Sequence, residues 1–425
     1  MDLREFVDFL DQQKKLIRIR KPVSVNQEMA AIMNKLDGCP LLFEHVKGYR
    51  QFRVAANVCS HREYVAAGLG VKKEDIIKTI AHAIETPKEP KVVKSTEYSE
   101  LPLDLGSLPI LTHYPKDGGP YMSSSVVVIN DPELGSNASY HRMLVKSKNE
   151  VVARILPRHL DEYLKRGNSE FVICIGNPVQ VMVASAISAE LGKSELSIAN
   201  AMKRTELVDI EGFWAPKAEF ILIGEITGKK ANEGPFVDLT GTYDPVRKER
   251  VIKIKKIYAK HPAPLYHALL PGGLEHKILM GMPREPTMFQ EVNKVCKCKN
   301  AILTAGGCSW LHGVIQIKKK KADDGKKAIK AAFKGHKSMK HVVVVDEDVD
   351  IYNPEEIEWA IATRFQGNRD MTMKDDIGSS LDPSSHPETR VTTKIGLDAT
   401  IPWGKDKSKF EKVKAPDIDV KKYVE

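Results

Sequence analysis

No run of about eighteen or more apolar residues occurs in the 425-residue chain, so no segment is long enough to cross a bilayer as a helix. Cysteine is scarce and scattered. Cys39, Cys59, Cys174 and Cys308 stand apart, and Cys296 and Cys298 are separated by one residue, which is not a zinc-ligand spacing. This pattern reads as reduced thiols in a reducing compartment. The start, Met1-Asp2-Leu3-Arg4-Glu5, lacks the basic opening and apolar run of a signal peptide. The expectation is a cytoplasmic protein with no membrane partner. No internal repeat is present. An aromatic motif for reading RNA is also missing, although the net charge is +9. The lysine runs, Lys318 to Lys321 and Lys326 to Lys330, therefore read as solvated faces and not as a nucleic-acid site. A basic balance also suits small anionic substrates.

What is there is ordinary globular composition, 42% hydrophobic and 28% charged. The length implies two or three domains. Leu3, Phe6, Val7 and Leu10 recur at helical spacing, and Asp75 to Ile84 reads as a second amphipathic helix. Leu41 to Phe43 and Phe52 to Ala55 are strand-like. From about Pro109 to Pro286 short β-rich runs alternate with turn residues: Ser125 to Ile129, Val151 to Leu156, Phe171 to Ile175, Val179 to Val183, Phe220 to Ile223 and Val251 to Ile257. That texture predicts a β-barrel or sandwich, with one helix over Leu196 to Met202. From about Asn300 an α/β texture returns. Strands are expected at Ala301 to Leu303, Val314 to Ile317 and His341 to Val345, and helices at Gly325 to Phe333 and Pro354 to Thr363. The charged tail after Trp403 reads as an arm or extended wrap. The resulting division is an N-terminal α/β domain (1–105), a central β domain (106–295) and a C-terminal α/β domain with its tail (296–425).

The chemistry-bearing residues fall in four places. Glu233 and Asp238 flank a Gly-Pro turn, which prevents a helix and can bend both carboxylates into one pocket. A pair of carboxylates can share a proton, which a proton donor at neutral pH requires. Against this, carboxylates near a turn are more often a solvated loop; the apolar flanks and Phe236 favour burial. The run Asn137-Ala138-Ser139-Tyr140-His141-Arg142 offers an oxygen ligand and a planar cation. Arg154-Ile155-Leu156-Pro157-Arg158-His159 adds cations and an imidazole, and Glu195 opens the helix before Leu196. An Asn, a His and a Glu from separate elements suit a hard or borderline divalent ion such as Mn2+ or Mg2+. Each alone has a plainer reading: a surface histidine, or a carboxylate at a helix start.

These four places, in this order and at similar separations, resemble the UbiD family of decarboxylases. The likeness continues through Leu269 to His276, Met280 to Pro283, Val344 to Asp350, Ile361 to Arg364 and Gly396 to Thr400, nearly the whole chain. The resemblance implies a central FMN-binding split β-barrel between two α/β domains. It implies prenylated FMN, made by a separate flavin prenyltransferase and tethered through Mn2+ or Mg2+, with K+ nearby. On matching positions the metal ligands would be Asn137, His159 and Glu195. Cofactor contacts would come from Tyr140, His141, Arg142, Arg154, Ile155, Leu156, His159 and Leu160, and from Lys394 at the phosphate. Arg142, Glu233 and Asp238 would be catalytic: Arg142 would orient the substrate carboxylate and tune Glu233, and Asp238 would deliver the proton that replaces carbon dioxide. Family members are homo-oligomers, dimers or hexamers of dimers.

Within the family, Glu233 to Asp244, Leu269 to His276 and Gly306 to His312 look closest to an archaeal subgroup acting on trans-anhydromevalonate 5-phosphate. That likeness implies a phosphorylated, unsaturated carboxylate as substrate and isopentenyl phosphate as product, a step of isoprenoid biosynthesis. Candidate contacts to the substrate phosphate are Lys116, His276, Lys277 and His312, each with a plainer surface role available. The alternatives are a decarboxylase of 4-hydroxybenzoate-like aromatic acids and, in another class, a flavin-binding module without catalysis.

Overall fold

Leu3, Phe6, Val7 and Leu10 lie on one stripe of the helix Leu3–Gln12 and are all buried. Asp2 caps it: its carboxylate accepts the Glu5 N–H while the Glu5 side chain reaches back to the Asp2 N–H. That stripe shares a core with Val126, Val172, Val181 and Ile221, so the first helix packs against the centre of the molecule. The computed structural model describes residues 1–413, 416–419 and 422–423.

At the centre is a nine-stranded sheet whose pairings are antiparallel. Its path runs Tyr121–Met122, Met143–Val145, Glu150–Ala153, Arg247–Lys260, Phe220–Glu233, Glu170–Ile175, Val126–Asp131, Gly135–Tyr140, and Tyr98–Leu101 adds onto Arg247–Lys260. The two ends of the path do not pair, so the sheet is an open, split barrel. The long strands Phe220–Glu233 and Arg247–Lys260 carry register shifts at Ile223/Gly224 and Ile226/Lys230. Such bulges bend and twist a strand. The first strand is buried over its first five residues, emerges, and returns to the interior at its last residue, Glu233.

The flanking regions are mixed α/β. A four-stranded sheet runs Ile17–Ile19, Leu41–Phe43, Arg53–Ala56, Leu265–Ala268, its last strand borrowed from the middle of the chain. A five-stranded sheet runs Lys297–Leu303, His312–Lys318, His341–Asp346, Val391–Asp398, Met371–Ile377. Its faces are covered by separate cores, one under the helix Asp324–Gly335 and one under Pro354–Arg364. The tail crosses that last helix: Phe410 C=O accepts from Arg364 at 3.3 Å and the Lys412 ammonium lies 4.7 Å from the Trp359 ring centre. The rest of the tail lies partly outside the described residues.

One secondary-structure expectation fails. Val179 to Val183 is not a strand but the core of the helix Val179–Ala184, which follows Pro178. Every residue of it is buried. A run that is apolar on all sides has no polar face to reveal its period, and strand and helix then look alike in sequence. No helix among the described residues is long and apolar enough to cross a membrane.

Candidate active site

A cavity of about 670 Å³ opens between the split barrel and the five-stranded domain. Its size suits a cofactor-sized ligand. Asn137, Tyr140, His141, Arg142, Arg154, Leu156, His159, Leu160, Glu195 and Asp238 all line it.

Arg142 sits just beyond the strand Gly135–Tyr140 and gathers carboxylates from a distant hairpin. Its Nε and Nη2 donate to the two oxygens of Glu233, each at 3.0 Å. Its Nη1 donates to Asp238 at 2.8 Å and its Nη2 to Asp244 at 2.7 Å. The guanidinium lies 4.7 Å from the centre of the Phe236 ring. Burial opposes the charge on Arg142, but hydrogen bonding to Glu233 and the charges of Glu233, Asp238 and Asp244 outweigh it and hold the pKa above its usual value. Glu233 is wholly buried and also accepts from the Tyr121 hydroxyl at 3.0 Å. That hydroxyl in turn accepts the Gly234 N–H at 2.9 Å. Gly234 takes φ +97°, and a Cβ there would come within 3.0 Å of the Pro245 carbonyl, so the turn between the carboxylates needs glycine. The Asp238 side chain keeps 19% exposure. The expected carboxylate pair is therefore corrected in detail: no hydrogen bond joins Glu233 to Asp238 among the described residues, and Arg142 bridges them instead.

The second constellation is Asn137, Glu195 and His159. Ser194 caps the helix Glu195–Met202, and its hydroxyl also meets Ser136 Oγ at 2.5 Å. This ties the helix start to the strand that carries Asn137. Glu195, 1% exposed, accepts through Oε2 from Asn137 Nδ2 and the Ala138 N–H, each at 2.9 Å. Its other oxygen faces His159 Nδ1 at 3.9 Å, and no Lys or Arg pairs with it among the described residues. The corner thus presents a carboxylate oxygen, an imidazole nitrogen and an amide oxygen. It is not a cluster of three or more His, Cys, Asp or Glu, and no such metal-holding cluster occurs among the described residues.

Around these lie supporting groups. His141 touches Ser139 Oγ through Nε2 at 3.0 Å and the Arg154 carbonyl through Nδ1 at 3.1 Å. Burial pushes its pKa down to about 4, so the ring is neutral at neutral pH. Arg154 donates to Glu249 at 3.1 Å. His276 faces the cavity, and its Nδ1 accepts the Gly272 N–H at 3.1 Å, which leaves the proton on Nε2. Burial lowers its pKa and the charge of Asp238 opposes that shift.

Some expected residues lie elsewhere. Ile155 packs into the core and does not line the cavity. The Lys394 ammonium donates to the Lys337 carbonyl at 2.6 Å and does not line the cavity, nor do Lys116, Lys277 and His312. Sequence reasoning missed Tyr121, Asp244 and Arg284. Asp244 was visible only as the end of its motif; nothing local marks its pairing with an arginine 102 positions earlier.

The split-barrel cavity thus holds an Arg–Glu–Asp cluster beside an Asn–His–Glu corner. Models of the 3-octaprenyl-4-hydroxybenzoate carboxy-lyase family match the chain in three parts: its N-terminal domain over residues 7–84, its Rift-related domain over 85–274 and its C-terminal domain over 277–399. The chain belongs to this UbiD family of carboxy-lyases. It is 44% identical over 404 residues to the anhydromevalonate phosphate decarboxylase of Methanocaldococcus jannaschii, covering 92% of this chain and 95% of that one. It is 40% identical to the protein of the same name from Methanothermobacter thermautotrophicus, covering 97% and 99%. Among solved structures, the UbiD-class enzyme HmfF from Pelotomaculum thermopropionicum in complex with FMN superposes with a TM-score of 0.95 at 36% identity, covering 100% of both chains. An evolved dimeric form of HmfF in complex with prenylated FMN gives 0.91 at 35%.

Proposed function

We propose that the chain decarboxylates trans-anhydromevalonate 5-phosphate to isopentenyl phosphate and carbon dioxide, using prenylated FMN held through a divalent ion. The observation that carries this is Arg142 bound to both Glu233 and Asp238 in the cavity that also holds Asn137, His159 and Glu195. The names of the archaeal relatives support the substrate, and the HmfF complexes support the cofactor.

The residues present fit the cofactor and its metal. Glu195 is buried, no basic side chain among the described residues lies at its oxygens other than the half-buried His159 imidazole, and a divalent ion would neutralise it. Asn137, His159 and Glu195 would hold that ion, Mn2+ or Mg2+, and the ion would take the cofactor phosphate. When bound, the prenylated flavin supplies the electron sink for carbon dioxide loss. A flavin prenyltransferase is the implied supplier.

The chain's own residues do the rest. Glu233, clamped by Tyr121 and by two Arg142 nitrogens, fixes the guanidinium plane. Arg142 directs its remaining edge at Asp238, so Asp238 is positioned by a charge-assisted hydrogen bond and exposed on the cavity side. Asp238 is the group placed to deliver a proton to the carbon that loses its carboxylate. Neutral His276 offers an Nε2–H beside it. Apolar lining from Phe236, Leu269 and Met280 excludes water.

The test is a substrate panel. Holoenzyme from co-expression with a flavin prenyltransferase is offered trans-anhydromevalonate 5-phosphate and 4-hydroxybenzoate, and products are read by mass spectrometry. Isopentenyl phosphate is expected. Turnover of the aryl acid alone would overturn the substrate assignment in favour of aromatic acids.

A further inference from the structure

The cavity has two ends of opposite charge, and only one is internally compensated. At the acid end Arg142 and Arg154 have Glu233, Asp238, Asp244 and Glu249 as partners. At the other end Arg158, Arg284 and Arg390 face the cavity, and among the described residues none of their side chains makes a hydrogen bond or ion pair. Arg390, on an exposed loop, needs no partner. Arg284 does: its Nε is buried and unsatisfied. The carboxylate next to it in sequence, Glu285, is already taken by Arg62 at 2.7 Å. Arg284 is held in place all the same. Its guanidinium lies 5.6 Å from the centre of the Trp310 ring. Trp310 is fixed by its indole N–H donating to Ser379 Oγ at 3.1 Å and by its carbonyl, 2.9 Å from His336 Nε2. Burial, and then the nearby charge of Arg158, bring the Arg284 pKa down to about 10 against the opposing charge of Glu195, which makes no hydrogen bond or ion pair with Arg284 among the described residues. A partly buried guanidinium whose Nε lacks an acceptor is costly, and repulsion from the guanidinium of the exposed Arg158 adds to that cost. Such an arrangement is stable when a ligand brings the anion.

We propose that Arg158 and Arg284, with Arg390 at the rim, form a subsite for a phosphate monoester dianion, and that this phosphate is the substrate's. A guanidinium fork matches phosphate oxygens two at a time. Glu195 is the carboxylate whose charge reaches Arg284, and the divalent ion that would anchor the cofactor phosphate would take up that charge, which leaves Arg158 and Arg284 calling for a second anion. The polarity of the cavity then orients a substrate that carries a carboxylate at one end and a phosphate at the other: the phosphate is drawn to the arginine end, which leaves the carboxylate end beside Arg142 and Asp238. This inference rests on the proposed function for its substrate, and not for its phosphate chemistry.

The test uses Arg158→Gln and Arg284→Gln in the holoenzyme, with Arg284→Lys as the charge-retaining control. Inorganic phosphate binding is measured by calorimetry, flavin retention by absorbance, and KM and kcat with trans-anhydromevalonate 5-phosphate. Each Gln variant is expected to weaken phosphate binding and raise KM roughly 10- to 100-fold, with flavin content kept and kcat changed less. Arg284→Lys should recover part of the loss. Arg158 is exposed to the cavity, so its variant reports on the subsite even if Arg284→Gln folds poorly. Flavin loss with an unchanged KM in the remaining holoenzyme would assign these arginines to the cofactor and overturn the substrate subsite. Unchanged phosphate affinity in both Gln variants would overturn it outright. If the wild type turns over no phosphorylated acid yet loses phosphate binding in the variants, the substrate assignment fails while the phosphate site stands.

Discussion

Arg142 is the residue on which the acid end of the cavity is built, because it satisfies three carboxylates that would otherwise repel one another. Asp244 is the least central of these. Asp244→Asn removes one hydrogen bond from Nη2 while the Glu233 clamp and the Asp238 bond remain. Turnover should fall about 10-fold, with flavin content unchanged. Steady-state kinetics checks this, and a loss as deep as that of an Asp238 variant would show that Asp244 does more than brace Arg142. Asn137→Ala and Glu195→Ala belong to the other corner. Both should release metal and flavin together, read by metal analysis beside the flavin absorbance. Full flavin occupancy without metal would contradict the tether. At this scale the sequence was informative where functional residues cluster in short runs: Asn137 to Arg142 and Glu233 to Asp238 announce themselves by local chemistry. It was silent where function depends on a long-range absence. That no carboxylate among the described residues bonds to Arg284 can be known only after Glu285 is seen to turn toward Arg62.

Among the elements, the helix Glu195–Met202 and the strand Gly135–Tyr140 matter most, because they bring Glu195 and Asn137 together. Ser194 joins them, as helix cap and as partner of Ser136. Ser194→Ala should cost about 1 kcal/mol of stability. It should also weaken metal affinity several-fold by loosening the alignment of the two ligands. Chemical denaturation and metal titration read these two effects separately, and unchanged metal affinity would show that the junction has no positioning role. Phe6→Ala, in the first helix, should cost about 3–5 kcal/mol, since Phe6 is fully buried in the core shared with the central sheet. Helices with a polar face, such as Leu3–Gln12 and Asp324–Gly335, were legible from their periodicity. Val179–Ala184 was not, because burial on every side removes the signal. The split in the barrel came from the family resemblance and not from periodicity, since alternation marks strands but does not say whether the first and last of them pair.

For the whole molecule, the buried neutral histidines set the response to acid. Burial pushes His141 down to about 4, and His113 and His336 each to about 3. Unfolded, each titrates near its ordinary value of about 6.5. The unfolded chain therefore takes up protons that the folded chain refuses as pH falls from about 6.5 toward 4, and stability falls with it, by roughly 1.4 kcal/mol per group per pH unit at most. Above about 6.5 these groups contribute no pH dependence. Guanidinium unfolding at pH 7.5 and pH 5 is expected to give a clearly lower midpoint at pH 5, and equal midpoints would contradict the neutral burial of these rings. The charge separation within the cavity is also a property of the whole chain, since its acid end comes from the barrel and its basic end from residues on both sides of the domain junction.

The most direct test of the central claim is product formation by Asp238→Asn holoenzyme beside the wild type, each loaded with prenylated FMN. The account predicts wild-type flavin content in both proteins, with isopentenyl phosphate and carbon dioxide formed by the wild type and a rate lower by about 10²- to 10⁴-fold in the variant. A variant that retains its flavin and decarboxylates at the wild-type rate would contradict the assignment of Asp238 as proton donor, and with it the reading of the Arg142 cluster as the catalytic centre.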